Sequence, residues 1–125
     1  MILFYRQQEF IGKWNKPANY IQEIAIGNNM CNYEYEFKLK DYHNLQSIRI
    51  GSSSFCIVTV FSIENCSNLK SVTIGDRSFM AEAATSGFFC IMNCSSLQSF
   101  KAGKFAFQKF NNINFSSRRK GMILN

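Results

Sequence analysis

The stretch NCSNLKSVTIG, residues 65–75, returns 28 positions later as NCSSLQSFKAG, residues 93–103. Both copies place a Leu four residues after the Asn and end on a Gly. A phrase repeated at a fixed distance is the sequence signature of stacked structural repeats. The two copies therefore give the register in which the rest of the chain aligns.

Four glycines mark this register along the chain, spaced 24, 24 and 28 residues apart. Apolar residues lie six, three and one positions before each glycine, and a Cys or Phe lies four positions after it. The longer step is absorbed in AEAATSG, residues 81–87, as expected of stacked repeats that accept an insertion in one loop. The columns, in chain order, are Gly27, Gly51, Gly75 and Gly103; Ile21, Leu45, Leu69 and Leu97; Ile24, Ile48, Val72 and Phe100; Ile26, Ile50, Ile74 and Ala102; and Cys31, Phe55, Phe79 and Phe107.

A second apolar alternation follows in FKLKD, FSIEN and FCIMN, which begin at residues 37, 61 and 89. Alternation with a period of two is typical of half-buried strands. Each repeat thus predicts a strand, a corner at Gly, a Phe, a second extended segment and a corner at Asp41, Asn65 or Asn93. We expect the corner glycines to take positive φ, which they adopt without a Cβ clash. Short polar side chains suit the second corner because they bond the local backbone.

These columns predict a repeat solenoid with little helix. No single coil can bury its own Phe and Ile side chains, so each coil must be stacked between neighbours. The predicted architecture has short parallel β-strands stacked along one side and extended or irregular segments along the other. The composition, with 13 Phe but one Trp and one Pro, is then explained by a core built from Phe.

The repeat resembles the leucine-rich repeat, and in detail its BspA-like subclass. The family motif L-x-x-L-x-L-x-x-N-x-L is similar to LQSIRIGSSSF (45–55), LKSVTIGDRSF (69–79) and LQSFKAGKFAF (97–107), with a degenerate copy IQEIAIGNNMC (21–31). Gly at the seventh position and a small residue before Phe resemble the subclass. The motif's Asn falls only on Asn29, whereas the other copies have Ser53, Arg77 and Phe105. The asparagine ladder of the family is therefore expected to be largely missing.

The register divides the chain into three predicted parts. Residues 1–18, which include Phe4, Tyr5, Phe10 and Trp14, are an N-terminal flank or cap that could cover the first coil. Residues 19–110 form the solenoid, a short or fragmentary array of about four repeats near 21–44, 45–68, 69–96 and 97–110. Residues 111–125 are a basic tail or an incomplete repeat, and we expect a piece or a short relative of a longer array.

Composition limits the class of protein further. An apolar content of 46% and a charged content of 18% exclude a disordered chain, and the formal charge of +6 is scattered except for Arg118–Lys120. The five cysteines have no C-x-x-C spacing, which favours reduced, buried thiols. We find no signal peptide and no apolar run of roughly 18 residues. These features predict an intracellular, cytoplasmic protein, or a cell-surface one if the chain belongs to a longer protein.

Side chains with catalytic or metal-binding chemistry do not form a recognisable set. His43 is the only histidine and occupies a corner position that is Ser in other copies, so we expect a solvent-facing turn residue. Zinc needs four convergent ligands, and the column of Cys66 and Cys94 holds Tyr42, which indicates a core position. Glu34 and Glu36 have no fixed partner acid, and the glycines form no phosphate-binding loop. We therefore predict no enzyme, no cofactor and no metal site.

The resemblance implies one candidate binding surface. In the family, the third, fifth and eighth motif positions point away from the core along the concave side of the solenoid. Together with the second position they form a polar face that becomes cationic toward the C-terminal coils. The candidate binding residues are Glu23, Gln46, Ser47, Arg49, Lys70, Ser71, Thr73, Asp76, Gln98, Ser99, Lys101 and Lys104.

Two functions compete for this surface. The first is a non-enzymatic protein–protein interaction scaffold. The alternative is a nucleic-acid or polyanion-binding module that uses Arg49, Lys101, Lys104 and the Arg118–Lys120 run. Base stacking is weakly supported because the Phe residues are committed to the core. End-to-end self-association through uncapped coils is a further expectation for partners.

Overall fold

The computed structural model describes residues 21–82 and 84–116, together with the backbone of residues 2–5 and 123–124. Within these ranges the chain forms strands and turns and no helix. The strands are β1 (Ile2–Tyr5), β2 (Glu23–Ile26), β3 (Glu36–Lys40), β4 (Ser47–Ile50), β5 (Val60–Glu64), β6 (Ser71–Ile74), β7 (Gly87–Met92), β8 (Ser99–Ala102), β9 (Phe110–Phe115) and β10 (Ile123–Leu124).

The strands form two parallel sheets. The first sheet has the order β1-β2-β4-β6-β8-β10, and the second sheet has the order β3-β5-β7-β9. Successive strands from β2 to β10 alternate between the sheets, so each coil contributes one strand to each sheet. The protein is therefore a parallel β-solenoid of about four turns, as the repeat predicts. The segments opposite the first sheet are regular strands.

The columns of the sequence repeat are neighbours in the sheets. Ile48 pairs with Ile24 on one side and with Val72 on the other, and Val72 pairs with Phe100. In the second sheet, Phe61 pairs with Phe89, although the insertion at residues 81–87 lies between them in the sequence. The longer step is thus accommodated outside the strands, and the predicted register is confirmed.

The core is a double stack of Phe rings. Phe79 lies parallel to Phe55 and to Phe107, with centroid distances of 5.0 Å and interplanar angles of 6° and 3°. Phe61 stacks on Phe37 at 5.1 Å and meets Phe79 edge-on at 5.0 Å and 81°. Neighbouring strands lie about 4.7–4.9 Å apart, so the strand spacing sets the spacing of the rings. Contacts within a column are stacked, and contacts between columns are edge-to-face.

The corner glycines have a different role from the one expected. None of the four takes positive φ, so that expectation is wrong. A Cβ at Gly75 would lie 2.6 Å from the carbonyl carbon of Gly51, because the backbones of successive coils approach most closely there. At Gly27 a Cβ would meet, among the described residues, only Met30 Cγ, at 3.8 Å. Positive φ angles fall two residues later, at Asn29 (58°), Ser53 (57°), Arg77 (59°) and Phe105 (65°), and again four residues later, at Cys31 (59°), Phe55 (55°), Phe79 (55°) and Phe107 (58°).

The second corner follows the expectation. Asp41, Asn65 and Asn93 have φ angles of 64°, 55° and 55°, in the left-handed region that Asn and Asp tolerate better than most residues. The Nδ2 of Asn65 donates a hydrogen bond to Asp41 Oδ1 at 3.1 Å and so links the corners of two coils. The second corner thus combines a local backbone preference with a contact between coils.

Buried serines provide a hydrogen-bond ladder at the first corner. Ser54 and Ser78 are fully buried. Ser54 Oγ donates to the carbonyl of Gly27 at 2.8 Å and accepts from the N–H of Met30 at 3.0 Å. Ser78 Oγ donates to the carbonyl of Gly51 at 2.7 Å and accepts from the N–H of Ser54 at 3.1 Å. Because each hydroxyl binds the preceding coil, the two serines link three successive coils.

Removal of one rung is expected to be costly. Ser54→Ala leaves a buried carbonyl and a buried N–H without their partner, and we expect the free energy of unfolding to fall by about 1–3 kcal/mol. Urea denaturation measures the change. Ser62→Ala, at a half-buried outer position of β5, is the matched control and should change it by less than about 0.5 kcal/mol. Equal losses in the two variants would show that the hydroxyl ladder contributes little.

The solenoid extends beyond the predicted interval 19–110. β1, from the predicted flank, pairs with β2 in register, and β10 pairs with β8. β9 reaches residue 115 as a strand of the second sheet and so enters the interval 111–125, for which the sequence left a basic tail or an incomplete repeat open. The physical reason is that each exposed sheet edge accepts a further strand. Phe10, Trp14 and Arg118–Lys120 lie outside the described residues.

Candidate functional site

The candidate binding residues lie on and beside the outer face of the first sheet. Side chains alternate along a strand, so the residues between the buried Ile, Val and Phe columns point outward. The strand pairing brings them into two rows that cross the sheet. One row is half-buried and the other is exposed, apart from Ala25, which is buried. The rows are Glu23, Ser47, Ser71 and Ser99, and Ala25, Arg49, Thr73 and Lys101.

A third row borders the sheet at the residues that precede each strand. The backbone N–H of Lys70 donates to the carbonyl of Gln46 at 2.8 Å, and that of Gln98 donates to the carbonyl of Lys70 at 2.8 Å. The backbones are thereby held in line from coil to coil. The side chains of Gln46, Lys70 and Gln98 are exposed. The predicted second-position residues thus extend the outer face at one edge.

Arg49 forms an ion pair on this face. Its Nη2 contacts Glu23 Oε1 on the preceding coil. The Arg49 side chain is largely exposed, and an exposed pair contributes at most about 1 kcal/mol. The pair nevertheless offsets the charge of Arg49, so the N-terminal half of the face is close to neutral.

Two eighth-position residues serve the solenoid itself. Asp76 Oδ1 accepts a hydrogen bond from the backbone N–H of Lys104 at 2.9 Å, and Asn28 Oδ1 accepts one from the N–H of Ser52 at 2.8 Å. In both cases a short polar side chain satisfies a backbone donor of the next coil. Asp76 therefore has a structural contact that the sequence did not reveal, although its side chain remains exposed.

The C-terminal half of the face carries the excess positive charge. Lys70, Lys101 and Lys104 are exposed, and none of them forms an ion pair with another described residue. They lie on the coils of β6 and β8, on the outer side of or next to the first sheet. The structure thus brings together the lysines that the sequence placed in this half.

The cysteines lie away from this surface chemistry. Cys31, Cys66, Cys90 and Cys94 are buried, Cys56 is half-buried, and all five are free thiols. Burial, together with the charge of Glu34, raises the pKa of Cys31 to about 12. A hydrogen bond with Cys94 and burial raise the pKa of Cys66. Raised pKa values keep these thiols protonated near neutral pH, which is the opposite of an activated nucleophile.

The remaining candidate groups are dispersed. His43 is exposed at its corner, as expected of a turn residue. Glu34 is buried, at 5% exposure, whereas its neighbours Tyr33 and Tyr35 are exposed. The sequence pattern did not reveal that the carboxylate lies inside and the two aromatic rings lie outside. Within residues 21–82 and 84–116 no three His, Cys, Asp or Glu side chains are grouped so that they could hold a metal ion.

The fold defines the class of protein as a two-sheet parallel β-solenoid with a Phe core. In the part of the chain that is described, no helix has the length and apolar character needed to cross a bilayer. No protein-family model matches the chain, and no curated protein or solved structure matches it. Functional inference therefore rests on the geometry of the outer face.

Proposed function

We propose that the protein is a non-enzymatic interaction scaffold of the leucine-rich-repeat type, whose outer face of the first sheet binds an acidic or polar surface of another protein. The supporting observation is the pair of polar rows, repeated from coil to coil and held by the parallel pairing of β2, β4, β6 and β8. A rigid sheet presents such rows without the entropy cost of ordering a loop.

The distribution of charge indicates the chemistry of the partner. Lys70, Lys101 and Lys104 form a cationic half, whereas Arg49 is paired with Glu23 in the other half. An acidic patch opposite the lysines would be attracted during encounter and oriented along the coils. Small hydroxyl side chains in the row of Ser47, Ser71 and Ser99 leave the face flat, which suits a protein surface.

The leucine-rich-repeat assignment is supported by where the motif falls on the strands. The residues that match the fourth and sixth motif positions are the inward residues of β2, β4, β6 and β8. The residue that matches the last motif position begins the second half of each coil and packs in the core. This agreement between motif position and burial is what the resemblance predicts, and it is also expected of other parallel β-solenoids.

Protein binding is favoured over nucleic-acid binding by the position of the exposed aromatic rings. Tyr33 and Tyr35 precede β3 and border the second sheet, away from the lysines of the first sheet. The ring of Phe105 is 50% exposed and has the guanidinium of Arg77 on one side, 5.5 Å from the ring centroid. Among the described residues, Phe105 is thus the one exposed ring next to a lysine of this face, whereas single strands are usually bound by several rings interleaved with cations.

Charge reversal on the cationic half tests the proposal. We expect Lys101→Glu to weaken binding of a captured and purified acidic partner by about tenfold or more, because two like charges then face each other. The melting temperature should hardly change, because Lys101 is exposed. Lys40→Glu, an exposed outer position of the second sheet, is the matched control and should keep full affinity.

The same variants separate the two candidate functions. Filter binding with a mixed-sequence RNA oligonucleotide at low and high salt should give no saturable binding by the unaltered chain. Tight, salt-dependent RNA binding that Lys101→Glu abolishes would contradict the proposed interaction scaffold and favour the nucleic-acid-binding module. Equal losses of partner affinity in Lys101→Glu and Lys40→Glu would contradict the choice of the outer face.

A further inference from the structure

The ion pair between Arg49 and Glu23 shows how the outer face of the first sheet holds a carboxylate. Glu23 lies in the half-buried row of the face, and Arg49 lies in the exposed row on the next coil. In the pairing of β2 with β4, Ser47 is directly opposite Glu23, and Arg49 is two positions further along the strand. The two charged side chains therefore meet across a diagonal, a separation that long side chains can bridge.

The same diagonal recurs on the following coils, because the strands of the first sheet pair in one register. From β4 to β6 the diagonal joins Ser47 to Thr73, and from β6 to β8 it joins Ser71 to Lys101. The strands β2, β4, β6 and β8 thus present three equivalent diagonals with different chemistry. The first holds a complete ion pair, the second has two hydroxyl groups, and the third has a cation opposite a hydroxyl group.

The third diagonal has the donors for a carboxylate and lacks the carboxylate itself. Ser71 occupies the row position of Glu23, but its side chain ends at a hydroxyl group and does not extend toward Lys101 as Glu23 extends toward Arg49. Lys101 is exposed and forms no ion pair with another described residue. The half-buried Ser71 has a hydroxyl group that can donate a hydrogen bond. An ammonium group and a hydroxyl donor therefore border the same position.

The neighbouring charges favour an anion at this position. Lys70 directly precedes Ser71 and is exposed, so it adds a second positive charge beside the third diagonal. Among the described residues of the outer face, the acidic ones are Glu23 and Asp76. Glu23 is paired with Arg49. Asp76 binds the backbone N–H of Lys104 at 2.9 Å. A carboxylate that pairs with Lys101 therefore has to come from a bound molecule.

We propose that Ser71 and Lys101 form a subsite that binds the carboxylate of an Asp or Glu side chain of the partner protein, in the place that the Glu23 carboxylate takes beside Arg49. We call it the carboxylate subsite. The inference rests on the proposed function, because the partner must dock on the outer face of the first sheet. It adds the group that is bound and the residues that bind it. Ser71 determines the specificity, since its short side chain leaves the subsite open.

A substitution that supplies the carboxylate from the chain itself tests the carboxylate subsite. Ser71→Glu gives the third diagonal the residue that the first diagonal already contains, so we expect the new side chain to pair with Lys101 and to close the subsite. Ser47→Glu is the matched control. It adds the same charge in the same row, but its diagonal leads to Thr73 and not to a lysine.

The probe is an acetylated peptide amide of four Glu residues, titrated into the ¹⁵N-labelled full chain and followed by NMR. In the unaltered chain, the backbone amide signals of Ser71 and Lys101 should shift with saturation, and those of Ser47 and Thr73 should shift much less. Ser71→Glu should weaken the apparent affinity for the peptide by about fivefold or more, whereas Ser47→Glu should change it by less than about twofold. A peptide of four Gln residues should cause no shift.

A second variant keeps the inference testable if Ser71→Glu does not fold. Lys101→Met removes the ammonium group from an exposed position without adding a charge, and it should abolish the shift of the Ser71 signal. Shifts of equal size at Ser47, Ser71, Thr73 and Lys101 would overturn the carboxylate subsite. A peptide affinity that Ser71→Glu leaves unchanged would do the same.

The captured partner distinguishes this inference from the proposed function. Its affinity should fall in both Lys101→Glu and Ser71→Glu. An affinity that falls in Lys101→Glu and not in Ser71→Glu would refute the carboxylate subsite and leave the proposed function standing. An affinity that neither substitution changes would refute both.

Discussion

Phe79→Ala is expected to lower the free energy of unfolding by about 3–5 kcal/mol. The ring is fully buried and stacks on both Phe55 and Phe107 at 5.0 Å. It also meets Phe37 and Phe61 edge-on, at 5.5 and 5.0 Å. Truncation therefore leaves a cavity in the middle of both Phe columns, bordered by four rings. Urea denaturation monitored by circular dichroism measures the loss.

A matched control distinguishes a core effect from the general loss of a Phe. Phe88→Ala removes a ring that is 39% exposed at an outer position of β7, and it should cost less than about 1 kcal/mol. A small domain has a total stability of only about 5–15 kcal/mol, so Phe79→Leu provides a milder variant if Phe79→Ala does not fold. A cost for Phe79→Ala no greater than that of Phe88→Ala would contradict the stacked core.

Gly75→Ala is expected to destabilise the protein by about 3 kcal/mol or more, although it adds a single methyl group. The new Cβ would lie 2.6 Å from the carbonyl carbon of Gly51 and 2.6 Å from the nitrogen of Ser52. Both atoms are backbone, so the clash can be relieved only by separating two coils that are hydrogen-bonded to each other. Chemical denaturation again measures the change.

Gly27→Ala is the control for this prediction, because among the described residues a Cβ at Gly27 meets only a flexible Met30 side-chain atom, at 3.8 Å. Its φ is not positive, so Ala there should be neutral, or stabilising by about 0.4–1 kcal/mol through the unfolded chain. Similar effects of the two substitutions would show that coil approach does not explain the glycine column. Comparing the two substitutions distinguishes two explanations of the glycine column. One is the close approach of neighbouring coils, and the other is a backbone conformation with positive φ, which was first expected for all four glycines.

The two stability predictions also bear on binding. The rows on the outer face of the first sheet have the spacing of the coils, which the Phe stacks and the glycine column maintain. Gly75 directly follows β6, the strand that carries Thr73 in the middle of the face. A substitution that separates these coils would therefore alter the distance between Arg49 and Thr73 without removing either side chain.

Much of the fold could be predicted because burial repeats in the sequence. The columns of Leu69 and Val72, and those of Phe61 and Phe79, recur at constant offsets, and only stacking can bury all copies together. The same alternation that placed Val72 inward placed Ser71 and Thr73 outward, so the rows of the candidate site could also be predicted. The outward side chains follow from the inward ones because a strand has a period of two.

Other features could not be predicted because they depend on contacts between coils. The sequence marked Gly75 as a corner, but only the approach of Gly51 shows why a side chain is excluded there. Ser54 was recognised as a small residue before Phe, and its hydrogen bonds to Gly27 and Met30 arise only when two coils meet. The pairing of Arg49 with Glu23 likewise joins residues 26 positions apart.

The sequence by itself determined the period, the inward and outward positions and the Phe core, because these follow from local alternation and from the need to bury repeated apolar side chains. Only the tertiary structure decided how the coils contact one another: which glycines are sterically required, which hydroxyls cross between coils and which charges are paired. Such features depend on distances between residues of different coils, and a one-dimensional pattern does not contain those distances.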